Sequence, residues 1–201
     1  MTAFEPVVQD WRPDLVIVVG DVNSTIACAL VAAKLHVRVA HVEAGLRSFD
    51  REMPEEINRI LTDQLSDLLF TTEESALAHL TREGIAPERV HFVGNVMIDT
   101  LLAHIGDARA LQVPRRYGLE RGRYALLTLH RPSNVDDDQA FDRLLTSLAA
   151  ISTDVPVVFP VHPRTRPAIA RSPRATTLID EQRVRLLDPL GYVEFLGLMA
   201  E

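Results

Sequence analysis

Short apolar runs alternate with longer segments of helical period along this chain, and the alternation is typical of βαβ units around a parallel sheet. The first run, Leu15–Val19, is continuously apolar, as expected of a strand that is covered on both faces. Three more strands are predicted in the first half, over Val37–Val42, Leu68–Thr71 and Val90–Gly94. Pro54 suits the first turn of a helix between them. Its predicted core face consists of Ile57, Ile60, Leu61, Leu65 and Leu68.

The pattern weakens over residues 104–122, where charged residues, Pro114 and glycines occur. We expect this segment to link an N-terminal domain, residues 1–103, to a C-terminal domain, residues 123–201. A second βαβ series follows, with a helix over Asp137–Ile151 and a last helix from Tyr192. The strands predicted in it are Tyr124–His130, Val155–His162 and Val184–Asp188. The fold class is therefore α/β, with two parallel-sheet domains.

The helical pattern that begins at Tyr192 runs to the last residue without a cap or a glycine stop. Three strands in the second series are also fewer than the ~5–6 of an average sheet. We therefore expect the chain to cover only part of its second domain, and to lack a segment at its N-terminus as well.

Composition excludes several classes of function. The chain has 21 Lys and Arg against 28 Asp and Glu, a net charge of -7, and no basic patch that would favour nucleic acid or an anionic membrane surface. The single cysteine, Cys28, excludes an internal disulfide and a CxxC metal site, which fits a reducing compartment. No apolar run approaches the ~18 residues of a membrane span, and the N-terminus has no cationic start of a secretory signal. The expected location is the cytoplasm.

Carboxylates follow the first two predicted strands, where a parallel sheet binds its ligands. Asp21 ends the first strand and Glu43 ends the second, so neighbouring strands would bring both acids to one crevice as an acid/base pair. Asp21 can alternatively cap a helix, and Glu43 can alternatively pair with Arg47. Glu55 lies in the first turn of the helix from Pro54, where it can act chemically or simply favour the helix dipole and pair with Arg59 at i,i+4.

The second series places imidazoles after two of its strands. His130 is followed by Arg131 and Asn134, a set suited to a phosphate or a sugar, and His162 ends the next strand. A structural histidine is the alternative for both. Asp136, Asp137 and Asp138 indicate the charged start of a helix and no metal site. Neither the dinucleotide-binding GxGxxG nor the P-loop fingerprint is present.

Six motifs resemble, in order and spacing, those of the non-hydrolysing UDP-N-acetylglucosamine 2-epimerases. They are GDVNST, HVEAGLRSFD, MPEEINR, VGNVMIDTLL, TLHRPSNVD and FPVHPRTR, and the resemblance extends from about Pro13 to Met199. It implies a GT-B architecture, two Rossmann-like domains with the active site in the cleft between them. The family interconverts UDP-GlcNAc and UDP-ManNAc without NAD or metal, by eliminating UDP to give 2-acetamidoglucal and adding it back.

The resemblance also implies roles for single residues. The three catalytic acids of the family fall on Asp21, Glu43 and Glu55, and its active-site histidine falls on His130. Substrate contacts are implied for Arg47, Arg131, Asn134 and the uracil-stacking Phe195, while Arg131 and His162 match the region of an allosteric UDP-GlcNAc site. A UDP-sugar substrate and, for the full-length form, a homodimer are the implied partners.

The chain departs from the family pattern at both ends and near His130. A basic GTRPE-like turn and a DSGGxxEE segment, both of which hold phosphate in the family, have no counterpart, and HRPSN replaces the commoner HRREN. We therefore expect these residues alone to show little epimerase activity. A hydrolysing epimerase that releases ManNAc and UDP, and an inactive nucleotide-sugar-binding module, are the alternative interpretations.

Overall fold

A computed structural model of the protein describes residues 1–201 and divides into two compact units, residues 1–99 and residues 100–201. The boundary between the units lies inside one helix, Val96–Ala110. Each unit contains its own parallel sheet, as the alternation of strands and helices predicts. No helix is both long and apolar enough to cross a lipid bilayer.

The first unit contains a four-stranded parallel sheet in the order β1-β2-β3-β4. The strands are β1 (Leu15–Val19), β2 (Arg38–Ala44), β3 (Leu68–Thr71) and β4 (Val90–Phe92). The helices are α1 (Glu5–Trp11), α2 (Asn23–Lys34), α3 (Pro54–Leu65), α4 (Ser75–Arg82) and the start of α5 (Val96–Ala110), with a short 3₁₀ turn at Pro87–Arg89. Because all four strands run parallel and in sequence, the residues that follow β1 and β2 lie at one edge of the sheet.

Two apolar clusters hold the first unit together. Val18 and Val39, on adjacent strands, pack against Ala29 and Ala32 of α2. The second cluster joins Ala44, Leu69, Leu80 and Ile85. Ala29 and Ala32 of α2 and Ala44 of β2 are 0% exposed, and their small side chains allow the helices to lie close to the sheet.

The predicted core face of α3 is wrong in part. Ile57 is 40% exposed and Leu61 is 49% exposed, whereas Ile60 and Leu65 are half-buried and Leu68 belongs to β3. The buried side chains of α3 are polar: Glu56, Asn58, Thr62 and Asp63. Three of these four make hydrogen bonds to the strand-end loops, so polar partners in the tertiary structure override the apolar periodicity of the helix.

The second unit contains a three-stranded parallel sheet in the order β5-β6-β7. The strands are β5 (Ala125–Leu126), β6 (Val157–Pro160) and β7 (Val184–Leu187). The helices that follow α5 are α6 (Val113–Arg116), α7 (Pro132–Val135), α8 (Asp138–Ile151), α9 (Arg166–Arg171), α10 (Pro173–Asp180) and α11 (Tyr192–Met199). Its main core includes Phe141, Leu145, Val157 and Phe159.

Some elements of the second unit differ from the predicted ones. The segment predicted as a linker, residues 104–122, contains the second half of α5 and all of α6. The strand predicted over Tyr124–His130 keeps only two residues in the ladder; the Leu127 amide still donates to the carbonyl of Val158, and residues 128–130 lie outside the strand. Asp137 caps α8 by accepting a 2.6 Å hydrogen bond from the Ala140 amide, so the acidic run is the start of a helix, as predicted.

Candidate active site

The ends of β1 and β2 bring Asp21 and Glu43 to the same edge of the first sheet. Gly20 precedes Asp21 in a left-handed turn with φ 69°, and its amide donates a 3.0 Å hydrogen bond to the carbonyl of Val42. A β-carbon on Gly20 would lie 3.4 Å from Oε2 of Glu43. The Glu43 carboxylate therefore lies directly against the turn that carries Asp21.

Glu43 has an uncommon backbone conformation for a residue with a side chain. Its φ is 71°, in the left-handed region that favours glycine, and the register of β2 against β3 shifts between Val42 and Ala44. Glu43 is thus the extra residue of a β-bulge, a feature that re-aims a side chain at the end of a strand. Strained residues of this kind concentrate at functional sites.

Asp21 is held by two residues of α3. Nε of Arg59 donates a 2.8 Å hydrogen bond to Oδ2 of Asp21, and Nδ2 of Asn58 donates a 2.8 Å hydrogen bond to its carbonyl. The alternative role as a helix cap is not observed, because Val22 occupies the cap position of α2 and no side chain caps it. Asp21 is therefore tied to the helix that also carries Glu55.

The Glu43–Arg47 salt bridge is not formed. Arg47 donates instead to Asp63 at 2.7 Å and to Glu83 at 2.6 and 2.7 Å, and its side chain is 1% exposed. Burial on its own lowers the pKa of this guanidinium, but Glu83 and Asp63 outweigh it and raise the pKa above its ordinary value. The Arg47 side chain is buried and paired within the first unit, and its contact with substrate stays a prediction. The Glu43 carboxylate makes no hydrogen bond or ion pair.

Glu55 and Glu56, adjacent in the first turn of α3, have opposite surroundings. Glu55 is exposed and has no ion pair, so the i,i+4 pair with Arg59 is not formed. Glu56 is 1% exposed, accepts hydrogen bonds of 3.0 Å from the amides of Ser48 and Phe49, and pairs with Arg59 at 2.7 Å. Burial alone would raise the pKa of Glu56, but these hydrogen bonds and Arg59 hold it below its ordinary value.

His130 and His162 lie together in the second unit. They follow the adjacent strands β5 and β6, their ring centroids are 5.8 Å apart, and both are exposed. Arg131, also exposed, is the N-terminal cap residue of α7. Asn134 lies on that helix, and its backbone amide donates a hydrogen bond to the Arg131 carbonyl. These four residues form one polar group at the carboxyl end of the second sheet.

An ion pair and an aromatic groove lie elsewhere in the second unit. Arg164 pairs with Asp136 at 2.7 Å, and the Arg164 side chain holds the pKa of the Asp136 carboxyl below its ordinary value. Phe195, half-buried on α11, lines an open groove with Tyr124, Leu126 and Thr128 of the β5 segment. The predicted residues of the second unit therefore lie at two places within it, the histidine pair and the groove of Phe195.

Several residues that shape the site could not be identified from the sequence. Arg59 binds Asp21, Glu56 fixes the loop at Ser48 and Phe49, and the buried pair of His41 and Asp63 lies beneath both strand ends. The only signal for them in the sequence is their position within or shortly after the motifs HVEAGLR and PEEINR. Spacing alone does not show which carboxylate of the Glu55–Glu56 pair faces inward.

Comparison with known proteins gives a consistent result. The family described as UDP-N-acetylglucosamine 2-epimerase matches residues 1–201. The UDP-N-acetylglucosamine 2-epimerase of Methanococcus maripaludis is 39% identical over 199 residues, which are 96% of this chain and 54% of the relative. The UDP-2,3-diacetamido-2,3-dideoxy-D-glucuronate 2-epimerase of Pseudomonas aeruginosa is 43% identical over 198 residues, 97% of this chain and 53% of the relative.

Solved structures agree with the fold. The structure of Methanocaldococcus jannaschii UDP-GlcNAc 2-epimerase in complex with UDP-GlcNAc and UDP has a TM-score of 0.86 at 40% identity, covering 98% of this chain and 55% of that one. The Neisseria meningitidis enzyme bound to UDP-GlcNAc has a TM-score of 0.85 at 28% identity, with 98% and 55% covered. The predicted α/β class with two parallel sheets, part of a GT-B epimerase fold, is confirmed. This chain spans about half the length of the relatives it matches, and it belongs to the UDP-N-acetylglucosamine 2-epimerase family.

Proposed function

We propose that this chain carries the proton-transfer residues of an enzyme that interconverts UDP-GlcNAc and UDP-ManNAc. The observation that carries the proposal is that Asp21 and Glu43 lie at one sheet edge, with Asn58 and Arg59 of α3 hydrogen-bonded to Asp21. It is supported by relatives named UDP-N-acetylglucosamine 2-epimerase at 39% and 41% identity, each of which this chain covers to 54%.

The chemistry of this reaction requires more than one acid. Elimination breaks the C2–H bond and the C1–O bond to UDP, forms the C1=C2 double bond, and transfers the C2 proton to a base. Adding UDP back with inversion at C2 requires a proton to arrive on the opposite face of the sugar. One carboxylate cannot serve both faces, and each positioned acid or base contributes a factor of ~10²–10⁴ in rate.

The surroundings of the three acids suggest a division of roles. Glu43, unpaired and half-buried, is free to exchange a proton with the substrate. Asp21 has one oxygen committed to Arg59, which orients the other oxygen. Glu55 is exposed in the first turn of α3 and has no ion pair, so its carboxylate is open to a ligand.

In the second unit we assign His130 to the UDP diphosphate or the leaving oxygen, with Arg131 and Asn134 beside it. An exposed imidazole followed by a guanidinium provides donors for phosphate oxygens. His162, 5.8 Å from His130 between ring centroids, and Arg131 are also the residues we propose for an allosteric UDP-GlcNAc. Phe195 offers a half-buried ring for the uracil.

Because little activity is expected of these residues alone, the test incubates the purified chain at high concentration with UDP-GlcNAc in D₂O and analyses the products by proton NMR. Epimerase activity gives UDP-ManNAc with deuterium at C2, and Glu55→Gln lowers the rate by ~10²-fold or more. Glu52→Gln, an exposed acid three residues earlier, is the matched control and should leave the rate unchanged. Free ManNAc would identify the hydrolysing alternative, and product without C2 deuterium would contradict the elimination route.

A second substrate deserves a parallel assay because the Pseudomonas aeruginosa relative, at 43% identity, is named for UDP-2,3-diacetamido-2,3-dideoxy-D-glucuronate. The same C2 chemistry applies to it, and the sugar carries an additional carboxylate. A higher kcat/KM for that sugar than for UDP-GlcNAc would assign this chain to the diacetamido-glucuronate branch. The homodimer and the cytoplasmic location stay predictions from the resemblance and the composition.

A further inference from the structure

Two fully buried polar side chains of the first unit lie outside the proposed catalytic set. His41, on β2, and Asp63, on α3, are both 0% exposed. Nδ1 of His41 donates a 2.6 Å hydrogen bond to Oδ1 of Asp63. Oδ2 of Asp63 accepts hydrogen bonds from the Gly45 amide at 3.1 Å and from Arg47 at 2.7 Å. The Asp63 carboxylate thus accepts hydrogen bonds from three donors.

The other nitrogen of His41 extends this network to the first strand. Nε2 donates a 2.9 Å hydrogen bond to the carbonyl of Gly20. Both partners of the ring, the Asp63 carboxylate and the Gly20 carbonyl, are hydrogen-bond acceptors. A continuous chain of hydrogen bonds therefore runs from Gly20 through His41 and Asp63 to Gly45.

The two ends of that chain adjoin the proposed acids. Gly20 immediately precedes Asp21, and Gly45 is two residues after Glu43. Both glycines and Glu43 have positive φ, at 69°, 77° and 71°. A non-glycine residue keeps such a conformation only where the surrounding structure enforces it. Here Gly20 fixes the carbonyl of Val42 on one side of Glu43, and Asp63 fixes the amide of Gly45 on the other.

We propose that Asp63, acting directly on Gly45 and through His41 on Gly20, is a positioning residue that fixes the turns carrying Glu43 and Asp21. The proposal rests on the proposed function, because positioning matters only if these carboxylates transfer protons. A displacement of about 1 Å in a catalytic group costs ~10²-fold in rate. Loss of the Asp63 carboxylate should therefore reduce turnover far more than it reduces substrate binding.

The catalytic experiment compares four variants with the parent chain. Asp63→Ala removes the whole network and should lower kcat by ~100-fold with KM within ~3-fold. Asp63→Asn retains an acceptor for Gly45 and a donor for His41, so it should restore kcat to within ~10-fold of the parent. His41→Leu cuts only the branch to Gly20 and should give an intermediate loss of kcat.

Asp67→Ala is the matched control. Asp67 also binds the β2 backbone, accepting a 2.8 Å hydrogen bond from the Val39 amide, but at the opposite end of that strand. It should lower the melting temperature while leaving kcat within ~3-fold, when each variant is assayed equally far below its own melting temperature. An equal loss of kcat in Asp67→Ala and Asp63→Ala would overturn the proposal, because Asp63 would then be merely structural.

A second measurement does not depend on turnover. With only 9 glycines in the chain, the Gly45 amide is readily assigned in a ¹H–¹⁵N spectrum. Asp63→Asn should displace both the Gly45 and the Asp21 amide signals, whereas His41→Leu should displace the Asp21 signal far more than the Gly45 signal. Signals displaced no more than in Asp67→Ala would refute the positioning role, even if Asp63→Ala fails to fold. If the variants displace these signals but Glu55→Gln leaves the measured rate of the parent chain unchanged, the proposed function is contradicted and the network still stands.

Discussion

At the scale of single residues, Glu43 combines backbone strain with an unpaired carboxylate. A glycine at this position would adopt the φ of 71° without strain. The strain energy removed is at least comparable to the ~0.5–1 kcal/mol that glycine costs in the conformational entropy of the unfolded chain. Glu43→Gly should therefore leave the free energy of unfolding unchanged or raise it by up to ~1 kcal/mol, while abolishing turnover. Urea unfolding and the UDP-GlcNAc assay measure the two effects.

The matched control for that variant is Ala44→Gly, one residue further along β2. Ala44 is 0% exposed and has ordinary strand geometry, so this change should cost ~1 kcal/mol or more. If Glu43→Gly destabilised the protein as much as Ala44→Gly, the strain at Glu43 would not exist in solution.

Substitution of Glu56 should affect stability, whereas substitution of Glu55 should affect catalysis. The pKa of Glu56 is lowered in the folded state, so its stabilising contribution is present above the unfolded value of ~4.3 and is lost as the pH falls through the folded value. Glu56→Gln should cost ~2 kcal/mol at pH 7, and the difference from the parent should shrink below pH ~4. Urea unfolding at several pH values tests this.

Glu55→Gln provides the contrast for Glu56→Gln. Its side chain is exposed and unpaired, so its unfolding free energy should stay within ~0.5 kcal/mol of the parent at every pH. A pH-independent loss of stability in Glu56→Gln would show that the ionised carboxylate does not hold the loop at Ser48 and Phe49.

At the scale of elements, α3 is a helix whose polar side faces inward. Most buried groups on it have partners, but Oγ1 of Thr62 is buried without a hydrogen bond. Replacing an unsatisfied hydroxyl by a methyl group of the same shape removes a desolvation cost. Thr62→Val should therefore raise the unfolding free energy by ~1 kcal/mol, measured by urea denaturation.

Thr25→Val is the control for Thr62→Val. Oγ1 of Thr25 donates a 2.9 Å hydrogen bond to the carbonyl of Val19, and the residue is also buried. The same chemical change should therefore lower the unfolding free energy by ~1 kcal/mol here. If Thr62→Val and Thr25→Val changed the unfolding free energy in the same direction, burial alone would explain the effect of the substitution.

Elements with strong local signals were predictable and the others were not. The bounds of β1 and β3 and the start of α3 at Pro54 follow from continuous apolar runs and from proline at a first turn. Short helices such as α1, α6 and α7 have too few residues to show a period, and none of them was predicted. Asp21 and Glu43 could be predicted because they follow apolar strands, but the inward side of α3 depends on partners distant in sequence.

At the scale of the whole molecule, each apolar cluster lies entirely within the first unit or entirely within the second. Leu69 belongs to a cluster of the first unit and Phe159 to a cluster of the second. Leu69→Ala should cost ~2–5 kcal/mol and Phe159→Ala ~3–5 kcal/mol, each in its own unit. Hydrogen exchange followed by mass spectrometry should show faster exchange in residues 1–99 for the first variant and in residues 100–201 for the second. Acceleration throughout the chain by either one would show that the units unfold together.

The unit boundary inside α5 has a consequence for how such proteins diversify. All three proposed acids precede that helix, whereas the residues assigned to the nucleotide follow it. A genetic crossover within α5 would exchange the half that carries the proposed nucleotide contacts while leaving the proposed acids and their buried support intact. Recombination between relatives at this helix would therefore combine an unchanged set of acids with a different nucleotide-sugar binding surface.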